Sequence, residues 1–108
     1  MPVRFLGRAI TLSANATAEI KVEFKADAKI TQILTHSSGR AEIVKIDIPE
    51  VPPMLDGVME LHQLRQEGNV YPLPEPLVVP KGTIISVTLK DLSGASNVVY
   101  FAFVALVA

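Results

Sequence analysis

An all-β fold is predicted for this chain: an antiparallel β-sandwich with jelly-roll-like topology, formed by residues 1–108 as a single domain. Three observations predict it. Apolar and polar residues alternate over several segments, which is the period of a half-buried strand. Clusters of Ser, Asn, Asp, Gly and Pro separate those segments at short spacings, as turns do between strands. The length of 108 residues suits one hydrophobic core and is too small for two. Strands of ordinary length would number roughly six to eight.

The elements follow in chain order. Arg4 to Leu12 is the expected first strand, with Arg4 and Arg8 limiting how deeply it sits. In Thr17 to Lys25, the residues Ile20, Val22 and Phe24 share one face, and Glu19, Lys21, Glu23 and Lys25 share the other. On a helix those three apolar side chains would scatter, so no helix competes. Lys29 to Thr35 is rich in β-branched residues and reads as a weaker strand. Glu42 to Ile48 alternates again, with Val44, Ile46 and Ile48 expected inward and Ile43, Lys45 and Asp47 outward. Pro49 to Pro80 is an irregular excursion. Within it, Leu55, Met59 and Leu64 could line a short helix, or Val58, Leu61 and Leu64 could anchor a loop. Tyr71 to Pro80 is extended, and its spaced prolines fit only at a sheet edge or outside the sheet. Pro80-Lys81-Gly82 has the composition of a type II turn. It leads into Thr83 to Lys90, with Ile85, Val87 and Leu89 inward. The expected core is Ile20, Val22, Phe24, Val44, Ile46, Ile85, Val87, Leu89, Phe101 and Phe103.

The last strand, Asn97 to Val107, is apolar on both sides. Val99, Phe101, Phe103 and Ala105 form one side, and Val98, Tyr100, Ala102, Val104 and Leu106 the other. One side of such a strand meets the core. The other must be covered by an excursion of the chain or by another subunit.

Composition fits either self-association or a well-filled core. Hydrophobic residues make up 49% and charged residues only 19%, which is more apolar surface than a small monomer easily hides. A net charge of −1 gives nothing to attract a polyanion, so nucleic acid is not an expected partner. The chain has no cysteine, which excludes disulfides, thiolate metal sites and thiol nucleophiles. The opening Met1 to Leu6 lacks the pattern of a signal peptide, and the run from Val98 to Ala108 is too short to span a bilayer as a helix. The expectation is a protein made in a cytoplasm, with no membrane association.

Catalytic and cofactor signatures are missing. His36 and His62 are not at metal-ligand spacing, and the trio Asp56, Glu60 and His62 reads as a solvated loop. Ser37 and Ser38 follow His36, but neighbours in an extended chain point apart, so no triad forms there. The glycines are isolated, so no phosphate-cradling loop exists. Asn15-Ala16-Thr17 matches a glycosylation acceptor but reads as a turn. No enzyme activity, cofactor or metal is expected.

The segment Leu73 to Leu89, with Pro80-Lys81-Gly82 before an alternating strand, is followed by Asp91 to Phe103, with Ser93-Gly94-Ala95-Ser96-Asn97 before an aromatic strand. This arrangement resembles the end of small jelly-roll structural proteins of tailed phages. The resemblance implies a minor capsid, decoration or virion-surface component that forms a homo-oligomer, a trimer or larger, with other virion proteins as partners. No catalytic residue is implied.

The expected function is therefore a non-enzymatic assembly module located in a virion. Its candidate interface residues are Val98, Tyr100, Val104, Leu106, Leu77 and Val79. The alternative is a small glycan- or ligand-binding domain with a cleft lined by Tyr71, His62 and the carboxylates of the middle loop. An enzyme using that same loop would carry a buried carboxylate beside His62.

Overall fold

The computed structural model describes residues 3–48, 58–59 and 69–108. The strands are β1 (Val3–Leu12), β2 (Thr17–Glu23), β3 (Ala28–Ser37), β4 (Ala41–Asp47), β5 (Val58–Met59), β6 (Asn69–Val79), β7 (Ile84–Asp91) and β8 (Asn97–Val107). They form two four-stranded sheets, ordered β1-β8-β3-β6 and β2-β7-β4-β5. Every pairing is antiparallel. Strand β1 pairs with β8, β2 with β7, β3 with β6 and β4 with β5. The chain is thus one long hairpin wound into two facing layers, which is the jelly-roll topology.

The core lies between the sheets. Ile20, Val22, Phe24, Ile46, Ile85, Val87, Leu89, Phe101 and Phe103 are all buried, as their alternation requires. Phe24 and Phe103 meet across the layers with ring centroids 5.9 Å apart. Phe101 and Phe103 stand edge to face at 4.9 Å.

Val44 is the exception among the expected core residues. It is 37% exposed, and Ile43 takes the buried position in its place. The register explains the exchange. Ile43 faces Leu89 and Lys45 faces Thr88, so Val44 is an extra residue bulged out of β4. A second bulge at Thr31 divides β3, since Ile30 faces Ala105 and Gln32 faces Val104. The Thr31 hydroxyl donates to the Val104 carbonyl at 3.2 Å and holds that bulge in place.

Part of the expected excursion is a regular strand. Asn69–Val79 forms β6 at the sheet edge, where its prolines leave no ladder donor missing inside the sheet. Its register against β3 jumps from Leu77 to Pro72, so Leu73 to Pro76 bow out of the ladder. At Pro80 the predicted turn closes through the Thr83 amide to the Pro80 carbonyl, 3.2 Å. Gly82 sits there at φ +91°, the left-handed position that a type II turn requires. Of the segment in which a helix or an anchored loop was expected, Val58–Met59 form β5. Leu55, Leu61 and Leu64 lie outside the described residues.

Candidate functional site

The two outer faces of the sandwich differ in chemistry. On the first sheet, the register builds four rows that span three or four of the strands β1, β8, β3 and β6, with Thr11 facing Val98 beyond them. They are Val3–Leu106–Lys29–Val78, Phe5–Val104–Gln32–Pro72, Gly7–Ala102–Leu34–Val70, and the shorter row Ala9–Tyr100–His36. Lys29 is the one side chain carrying a full charge at these paired positions, and it stands in the end row. Several of the large apolar members are open to solvent, with Phe5 67% exposed, Val70 58% and Tyr100 50%.

On the second sheet, the rows are Thr17–Lys90–Glu42, Glu19–Thr88–Lys45, Lys21–Ser86–Asp47 and Glu23–Ile84. Every row carries charge, and Glu19 and Lys21 form a surface ion pair at 3.9 Å. That face is built for water. The first face has the composition of the buried centre of an interface, poor in charge and supplied with aromatic and aliphatic side chains.

Within the first face, Gly7, Ala9 and Ala102 are small and leave a shallow depression of about 430 Å³. Phe5, Leu34, His36 and Tyr100 rise around it. The His36 and Tyr100 rings lie 5.8 Å apart in a tilted arrangement. Gly7 is required by the approach of β1 to β8. A Cβ at this position would run into the Phe101 carbonyl oxygen and come within 2.6 Å of the Ala102 Cβ.

The expected interface residues divide between this face and the core. Val98, Tyr100, Val104 and Leu106 lie on the outward side of β8. Val104 is itself largely buried, between its register partners Phe5 and Gln32. Leu77 and Val79 instead point into the core, so they offer nothing to a partner. The outward residues of their strand are Val70, Pro72 and Val78. Sequence reasoning missed Phe5, because Arg4 and Arg8 drew attention to the polar side of β1. The signal was present in Val3, Phe5, Gly7 and Ala9, an uncharged side that alternates with the side bearing Arg4, Leu6, Arg8 and Ile10.

Other candidate chemistry disperses. His36 is exposed while Ser37 is fully buried and donates to the Gly39 carbonyl. Tyr71 is only partly exposed and packs against the core. Asp56, Glu60 and His62 lie outside the described residues. Among the described residues, no group of three or more His, Cys, Asp or Glu side chains could hold a metal.

One buried polar cluster is well organised, and the sequence reading passed over it. Asp91 is fully buried at the end of β7. Its Oδ1 accepts from the Ser93 hydroxyl at 2.6 Å, the Ser93 amide at 2.9 Å and Asn97 Nδ2 at 3.0 Å. Its Oδ2 accepts from the amides of Asn15 at 2.8 Å and Gly94 at 3.0 Å. The Ser93 hydroxyl above all holds the carboxyl well below the usual carboxylate range, against the opposing effect of burial. The Asn15 amide, the Asn97 side chain and the Ser93 amide act in the same direction as the hydroxyl. Asn97 extends the cluster, donating to the Arg40 carbonyl at 2.9 Å and accepting from the Gly39 amide at 3.0 Å. The β1–β2, β3–β4 and β7–β8 turns are fastened together in this way. An Asp followed two and three residues later by Ser and Gly is the local signal for such a turn. With its acceptors filled by donors of the fold, the cluster is a structural lock.

Compared with known proteins, the chain matches no family model, no curated protein sequence and no solved structure.

Proposed function

We propose that this protein is a non-enzymatic assembly module whose copies associate through the outer face of the β1-β8-β3-β6 sheet, as a capsid, decoration or other virion component. The observation that carries the proposal is the asymmetry between the two faces. Four register rows on one side contain a single fully charged residue, while each row on the other side is charged. Burial of Phe5, Tyr100, Val70 and their neighbours against a second apolar face would remove the surface that water tolerates least, at about 25 cal/mol per Å². A copy of the same chain supplies a face of matching, largely apolar chemistry, with its one row charge, Lys29, at the end of the face where it can stay in water. The virion setting is supported by the resemblance of the segments from Leu73 to Phe103 to phage structural proteins, and by the jelly-roll fold, which serves many roles and does not by itself select this one.

Replacing Val70 and Tyr100 together by lysine tests the proposal. Both side chains are exposed, so the fold should survive and the circular dichroism spectrum should be unchanged. Association measured by sizing chromatography should be lost. Unchanged association would move the contact off this face. A second reading, binding of a small ligand or glycan, is favoured by the depression between Phe5, His36 and Tyr100. Saturable binding by a protein that stays monomeric would support that reading instead.

A further inference from the structure

Strand β1 differs from the other sheet edges. Strand β6, the opposite edge of its sheet, carries Pro72, Pro74 and Pro76 and bows out of register between Leu77 and Pro72. Strand β2 bears the alternating charges Glu19, Lys21 and Glu23, and Arg8 Nη1 donates to its Lys21 carbonyl at 3.4 Å. Among the described residues, strand β5 comprises Val58–Met59 alone. Proline, charge, bulging and shortness are the ways in which proteins blunt an edge against pairing. Strand β1 is neither short, bulged nor interrupted by proline, and its two charges, Arg4 and Arg8, lie on the inward side with Leu6 and Ile10, leaving the outward side uncharged. It runs ten residues without proline or bulge, in unbroken register with β8 from Val3–Leu106 to Leu12–Asn97. Among the described residues, nothing pairs with its other edge.

We infer that β1 pairs antiparallel with β1 of a second copy, about a two-fold axis at Gly7, joining two four-stranded sheets into one continuous sheet. The inference goes beyond face association and adds a second, independent contact. The register follows from symmetry. Residues facing each other across an antiparallel pair lie on the same side of the sheet, so the axis must pass through a residue. An axis at Leu6 sets Arg4 opposite Arg8 of the second copy, and an axis at Arg8 sets that arginine opposite itself. Both are disfavoured, because like charges directly opposite destabilise a strand pair. An axis at Gly7 pairs residues 3 to 11 in full and places Arg4 opposite Ile10 and Arg8 opposite Leu6. On the outer side it places the exposed Phe5 of each copy opposite Ala9 of the other, a large side chain against a small one. The outer faces of the two copies, charged only at Lys29 among their register rows, become one surface.

Cysteine crosslinking tests the register in a chain that has no cysteine of its own. Phe5→Cys and Ala9→Cys are both at exposed positions. Within one copy they are four residues apart along a strand, about 13 Å, too far for an internal disulfide. An equimolar mixture of the two single variants should give a disulfide-linked dimer on mild oxidation, and either variant alone should give at least tenfold less. Val3→Cys with Thr11→Cys, the other outward pair, should behave in the same way. Equal crosslinking in the single variants would overturn the register. An oligomer by light scattering that crosslinks at neither pair would overturn β1 pairing and leave the face contact standing. A monomer that crosslinks at neither pair would overturn both contacts.

Discussion

Asn97 Nδ2 donates to Asp91 Oδ1 at 3.0 Å, with both residues fully buried, and this bond joins the three turns at one end of the sandwich. Asn97 also serves Arg40 and Gly39, so its removal strands several buried groups at once. Asn97→Ala should cost about 2–3 kcal/mol, since each unsatisfied buried polar group costs about 1–3 kcal/mol. In a domain of this size that lowers Tm by roughly 10 °C or more. Differential scanning calorimetry checks it.

Asp91 gives the fold an acid limit. Its folded-state pKa is depressed, so the stability it contributes is fully present above the ordinary carboxylate value of about 4 and is lost as pH falls below it. Urea midpoints should therefore decline below about pH 4 in the wild type. Asp91→Asn should be less stable at neutral pH and show a shallower decline on acidification. Parallel curves for the two proteins would place the acid sensitivity on other carboxylates.

The fold was legible because most of its strands bury one side only. In β2 and β7 the alternation is unbroken, and the inward residues could be named individually. In β4 the bulge was not legible, because Ile43 and Val44 are both apolar and either one starts a plausible period. The choice between them is made by pairing with β7, which is non-local. Strand β6 was legible as an extended segment at a sheet edge or outside the sheet, and its edge position was left open because prolines are tolerated in both places. The outward side of β8 was visible as an apolar face, but Leu77 and Val79 were not separable from Val78 without knowing which way β6 faces. Asp91 was passed over because its burial depends on the packing of three turns, one of which supplies the Asn15 amide from far away in sequence, although Ser93, Gly94 and Asn97 are local donors.

Gly7 is fixed by space. Gly7→Ala would press a methyl group onto the backbone of β8 at Phe101 and Ala102, so β1 must shift. The expected loss is about 2 kcal/mol, in the range of overpacking substitutions. Urea denaturation monitored by circular dichroism measures it. A neutral substitution would show that β1 relaxes freely.

Thr35 offers a gain. Its hydroxyl is buried and has no hydrogen-bond partner among the described residues. Thr35→Val keeps the shape and removes an unsatisfied group, so it should stabilise by up to about 1 kcal/mol. A lower Tm for this variant would show that the hydroxyl has a partner in the folded protein.

Absolute mass in solution, by light scattering over about a hundredfold range of concentration, tests the central claim most directly, because assembly through a shared face follows mass action. The wild type should be an oligomer whose mass rises toward a fixed plateau. A monomer of 11.7 kDa at every concentration would contradict the claim and leave the apolar face to a ligand.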